Sequence, residues 1–93
     1  MNRDFQLYNN EIISYSHSGD TLTLFCMFGN DEKWRTQFRH VRSVKGKDNL
    51  VGNRIAFFGR DTSSDTYTLF FQDSDDIAVV RTSDHWRRLP GWK

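Results

Sequence analysis

The chain has one cysteine, one proline and no long apolar run among its 93 residues. Cys26 alone cannot close an internal disulfide. Secreted domains of this size are commonly held by several, so a reducing, cytoplasmic setting is expected. The same scarcity excludes a Cys-rich zinc site. Met-Asn-Arg-Asp-Phe-Gln at the start lacks the roughly 7–15-residue apolar core of a signal peptide. No stretch approaches the roughly 20 apolar residues of a membrane helix, so no membrane partner is expected. Metal ligands are also sparse. His17, His40 and His85 stand at no recognised ligand spacing. Asp73-Ser74-Asp75-Asp76 has the acidity of a calcium loop, but Ile77 and Ala78 occupy the places that need an oxygen ligand and a glycine, so it reads as a turn. Gly46, Gly52 and Gly59 do not match a phosphate-cradling loop. His40, between Arg39 and Arg42, has the chemistry for acid–base work on a phosphate, yet the sequence supplies it no positioned partner. No cofactor, no metal and no enzymatic activity are expected.

β-forming residues are abundant. Three Trp, three Tyr and eight Phe give a short chain large rings to bury, enough for one domain over 1–93. Glu11–Ser16 and Thr21–Phe28 are rich in β-branched and aromatic residues and flank His17-Ser18-Gly19-Asp20, the composition of an antiparallel hairpin. Strands follow over Arg54–Arg60, Thr66–Gln72 and Ile77–Thr82, separated by Asp- and Ser-rich turns. Lys45–Asn53 reads as a loop pinned by Leu50 and Val51. Ser83 is placed to cap a short C-terminal helical turn ending before Pro90-Gly91. Trp86 reads as an anchor for the tail, with Trp92 partly exposed.

Lys33–Lys45 supports two readings. Trp34, Phe38, Val41 and Val44 fall at helical spacing, and a helix over 31–45 would make the fold α+β. Trp34, Thr36 and Phe38 also alternate with Arg35, Gln37 and Arg39 as a strand would, and the segment has no Ala or Leu. The strand is preferred. The expected fold is therefore mainly β: one antiparallel meander sheet of five or six strands, curled into a roll, barrel or sandwich. Phe57 and Phe58, like Phe70 and Phe71, point to opposite faces, so both sides of the sheet need cover, from the curl itself or from a second copy in a homo-oligomer.

Charge is unevenly spread. Residues 33–60 carry eight basic groups and one acidic group, whereas 61–80 carry five aspartates and no basic group. Cations interleaved with rings make Trp34, Arg35, Arg39, Arg42, Lys45 and Trp92 the candidate binding residues. An acidic protein is the expected partner. Nucleic acid is the alternative, because cations and rings also suit phosphates and bases, although a pI near 7.9 is low for such a binder. A third reading is a small-ligand pocket in the roll, lined by Phe57, Phe70 and Phe71.

From Asn10 to Thr82 the order Glu11-Ile12-Ile13, Leu22-Thr23-Leu24, Phe38 with Val41, Val44-Lys45-Gly46, Asn49-Leu50-Val51-Gly52 and Tyr67-Thr68-Leu69-Phe70-Phe71 resembles small bacterial β-rich accessory proteins of the immunity-protein and mobile gene-cassette kind. The resemblance implies a cytoplasmic, non-enzymatic protein that acts by binding, as an inhibitor or immunity-type factor. It carries over no residue role.

Overall fold

The computed structural model of the chain describes residues 2–46 and 49–92. Lys47 and Asp48 of the expected loop, and Met1 and Lys93 at the termini, lie outside the described residues. Nine strands and no helix occur among the described residues: β1 (Asn2–Asp4), β2 (Glu11–Ser18), β3 (Thr21–Phe28), β4 (Glu32–Phe38), β5 (Ser43–Gly46), β6 (Ile55–Asp61), β7 (Thr66–Phe71), β8 (Ile77–Arg81) and β9 (Arg87–Pro90). The mainly-β reading holds, and the contested Lys33–Lys45 contains most of β4 and of β5 and no helix.

The single-sheet expectation is corrected. There are two antiparallel sheets, β1-β6-β7-β8-β5 and β2-β3-β4-β9, and neither closes into a barrel. Each contains a three-strand meander, β6-β7-β8 or β2-β3-β4, extended by short strands before or after which the chain passes between the layers. The expected count of five or six strands missed these additions. β1, β5 and β9 are three or four residues long and owe their form to the edges they pair with rather than to local sequence.

Alternation along each strand builds the core. Ile12, Leu22, Leu24, Cys26 and Phe38 face inward from one sheet; Ile55, Phe58, Tyr67, Leu69, Phe71, Ala78 and Val80 face inward from the other, all buried. Phe38 touches both Phe58 and Tyr67 across the layers, with ring centroids 5.7 and 5.3 Å apart. Of the two residues proposed to pin the loop, Leu50 is buried and Val51 is exposed.

The expected C-terminal helical turn is also corrected. Arg87–Pro90 pairs with Trp34–Gln37 of β4, and the Gly91 amide donates to the Lys33 carbonyl at 2.9 Å. Trp86 fixes the approach: its backbone N–H donates to the Tyr67 hydroxyl at 3.2 Å and its indole N–H to Asp4 at 3.0 Å. The free edge of β4 offers this segment a ladder of backbone hydrogen bonds, which an isolated turn of helix cannot match.

Two glycines show where backbone freedom is needed. In the β2–β3 hairpin only Gly19 and Asp20 lie between the paired Ser18 and Thr21, and Gly19 has φ +60°. Gly46 has φ +108° opposite Ala78, and a Cβ there would lie 2.2 Å from the Ile77 carbonyl oxygen. Gly46→Ala combines positive-φ strain with a backbone clash and should cost about 2 kcal/mol or more, lowering Tm by about 10 °C. Gly19→Ala, which meets no atom within 4 Å, carries the strain alone and should cost less. Calorimetric melts of both variants check this ordering; an equal loss in the two would remove the close contact at Gly46 as its cause.

Candidate functional surface

Strand β4 decides where the sequence-proposed residues stand. Trp34 shares the inward side with Thr36 and Phe38, while Arg35 shares the outward side with Lys33 and Gln37. Trp34 and Arg35 therefore lie on opposite faces. The Trp34 ring stacks under the Arg88 guanidinium at 3.6 Å, and its indole N–H donates to Glu32 at 2.7 Å. Arg42 pairs with Asp65 at 3.1 Å, which offsets its charge. Lys45 belongs to β5, in the other sheet. Arg39 is exposed just beyond the end of β4, where its carbonyl accepts from the Thr82 hydroxyl. The six residues do not form one face.

A different group does converge. The outward side of the β2-β3-β4-β9 sheet runs in cross-strand rows: Glu11, Met27 and Lys33; then Ser14, Phe25, Arg35 and Leu89; then Ser16, Thr23, Gln37 and Arg87; then Ser18 and Thr21. Beyond β9 the chain turns back over this face. Trp92 lies edge-on to Phe25 at 6.0 Å, its indole N–H donates to the Cys26 carbonyl at 2.8 Å, and the Lys33 ammonium sits 4.9 Å above its ring. Arg35 Nε holds the turn by donating to the Gly91 carbonyl at 3.0 Å. Lys33 and Arg35 thus border two half-buried rings, Arg87 stands one row away opposite Gln37, and Glu11 is the one carboxylate of the rows, on the far strand.

Of the sequence-proposed set, Arg35 and Trp92 belong to this surface. Phe25, Lys33, Arg87 and Leu89 were missed. Phe25, Lys33 and Arg35 follow from period-2 alternation once 32–38 is a strand; Arg87 and Leu89 were hidden by the helical reading of their segment.

The pocket proposed around Phe57, Phe70 and Phe71 is corrected. Phe71 is buried in the core, whereas Phe57 and Phe70 stack at 4.4 Å on the outer side of the other sheet, beside Phe5. The register places Phe57 opposite Phe70 across β6 and β7, which puts both on the side Phe71 leaves.

His40 pairs with Asp84 at the surface, and His85 lies against Tyr67 and Trp86. No group of three or more His, Cys, Asp or Glu among the described residues is placed to hold a metal ion. Among the described residues no helix is long and apolar enough to cross a membrane. Burial pushes the Cys26 thiol up to about 11, with the Thr36 hydroxyl 3.9 Å away pulling it weakly down. A thiol so held is neutral and unreactive near neutral pH.

That shift sets a pH dependence. Below the ordinary value of 9.0 both folded and unfolded chains carry the neutral thiol. Above it the unfolded chain loses a proton that the folded chain keeps until about 11, so stability falls as pH rises through that window. The slope approaches about 1.4 kcal/mol per pH unit. Urea melts of the wild type and Cys26→Ala from pH 8 to 11 isolate this contribution, which should appear as a difference that shrinks with pH. A constant difference would show that the thiol does not titrate with unfolding.

No protein-family model, curated protein or solved structure matches the chain.

Proposed function

We propose that the protein is a non-enzymatic binding module that captures an acidic protein through the outer face of the β2-β3-β4-β9 sheet. The observation that carries this reading is that Lys33 and Arg35 border Phe25 and Trp92 on one sheet face, with Arg87 in the next row of the same face. Rings of this kind supply contact area at low entropic cost, and Trp and Arg dominate interface energies. Surrounding cations speed encounter with an acidic surface and set its register. Backbone pairing holds the platform together, and the Trp92 indole bond to the Cys26 carbonyl pre-orders the ring. The role proposed is that of an inhibitor or immunity-type accessory factor.

Nucleic acid is the second reading, favoured by the same cations and rings. The two separate by salt and by polymer. Trp fluorescence is titrated with poly-L-glutamate and with mixed-sequence single- and double-stranded DNA and RNA, at low and moderate salt. Poly-L-glutamate should give saturable quenching and exceed the nucleic acids at matched charge. Lys33→Glu/Arg35→Glu/Arg87→Glu should weaken capture about tenfold at low salt, taking ~0.5 kcal/mol per exposed charge, with the far-UV circular dichroism retained and Tm lowered by the loss of the Arg35 bond to the Gly91 carbonyl. Tighter binding of DNA or RNA with a steep salt slope would move the function to the second reading. Unaltered capture by the triple variant would remove this face from either one.

A further inference from the structure

Of the four strands that end the two sheets, three are guarded. β1 and β5 are three and four residues long and carry Arg3 and Lys45, while β9 carries Arg87, Arg88 and Pro90. Native edges are commonly short, charged or broken by proline, because an open ladder recruits another strand. β2 is built otherwise. It runs eight residues, and its second part, Ser14-Tyr15-Ser16-His17-Ser18, is exposed throughout and holds no Lys, Arg or Pro.

The ladder to β3 fixes which backbone groups this edge presents. Ser18 and Thr21 flank a two-residue turn and so exchange both of their bonds. Alternation then commits Ser16 and Ser14 to β3 and points the N–H and C=O of Tyr15 and His17 away from it. The register shift at Ile13 brings Ile12 into the same outward phase. Its bonds agree: the Ile12 N–H donates to the Asn53 carbonyl at 3.0 Å, and its carbonyl accepts the Gly52 N–H at 2.8 Å. Residues 52–53 thus cover the edge at Ile12. Among the described residues no other segment bonds the outward backbone of Tyr15 or His17.

We infer that this edge pairs with a second copy of itself, antiparallel about a two-fold axis through Ser16. The sequence is self-complementary in that register. Tyr15 stands opposite the partner's His17, and His17 opposite the partner's Tyr15, so four backbone bonds form between the groups that point outward. Ser14 meets the partner's Ser18, and Ser16 faces the partner's Ser16 at the close spacing of a pair that exchanges no bonds. No like charges oppose each other within the five residues, which is the feature that selects a second copy as the occupant. The bulge at Ile13 ends the paired stretch on one side and the hairpin turn ends it on the other. The interface uses no residue of the outer-face cluster and does not depend on the function assigned to that face.

Sedimentation equilibrium of the full chain tests it. Between about 10 µM and about 1 mM the mass should rise from 11.0 kDa toward twice that value, the weak range that a few backbone bonds supply. Ser16→Lys and Ser16→Glu each change one exposed side chain and leave the bonds to β3 in place. Each should weaken association about fivefold, because like charges then stand directly opposite. An equimolar mixture of the two variants should associate at least as tightly as the wild type, since residue 16 faces its own copy in this register alone. Recovery in the mixture also shows that neither variant has failed to fold. Lys33→Glu/Arg35→Glu/Arg87→Glu should associate like the wild type. A monomer throughout the range, association unaltered by Ser16→Lys, a mixture no tighter than either variant alone, or association lost only in the outer-face variant would each overturn the proposal.

Discussion

Phe38 joins the two layers. Its ring meets Phe58 and Tyr67 of the opposite sheet, and the contacts continue outward from there. Phe58 meets Trp86 edge-on at 5.3 Å, Trp86 takes the Tyr67 hydroxyl and the Asp4 carboxylate, and Asp4 ends β1. One cluster of rings thus ties the centre of the sandwich to both ends of the chain. Arg60 seals its margin, stacking on Tyr67 at 4.4 Å and donating to the Thr82 and Ser83 carbonyls. In a chain this short, aromatic pairs contribute area and geometry together, and shortening Phe38 would loosen both layers and the tail at once.

That cluster explains how three strands too short to persist alone are kept. β1 and β9 lie at sheet edges in opposite layers, and the bond from Trp86 to Asp4 connects the segments that lead into them. β5 is held by Gly46 passing close to Ile77 and by the Arg42 amide donating to the Arg81 carbonyl. Short edges carrying Arg87, Arg88 and Pro90, or Lys45, also discourage pairing with another chain, because charge and a missing N–H make poor templates.

Legibility in the sequence followed the range of the interactions. The β2–β3 hairpin and the β6-β7-β8 meander were readable because alternation and turn residues are local signals, and their observed limits lie within about two residues of the expected ones. β4 was readable once its poor helix formers were weighed. β1, β5 and β9 were not, since Asn2–Asp4, Ser43–Gly46 and Arg87–Pro90 have no strand pattern of their own and take form only against a partner edge. Missing them also concealed that there are two sheets, because the crossings between layers lead into or out of these strands. The site suffered likewise. Arg35 and Trp92 were identifiable by residue type, but Arg87 meets Gln37 only through β9, and Trp34 leaves the set only because a strand sends neighbours to opposite faces.

Clustering of charge along the chain is a poor guide to clustering in space when the chain changes layer. The basic block of 33–60 divides at the crossing between β4 and β5. Lys33 and Arg35 stay with one sheet, Lys45 and Arg60 go to the other, and Arg42 is met by Asp65 from the acidic block. The positive face instead draws Arg87 from the C-terminal tail and is roofed by Trp92, whose indole N–H donates to the Cys26 carbonyl while Arg35 donates to the carbonyl of the preceding Gly91. The tail therefore serves as the last structural layer and as part of the surface a partner would meet. Removing it would take away the ring, one of the three cations and the ladder on β4 together. The proposed binding at this face would therefore be coupled to the order of the final residues.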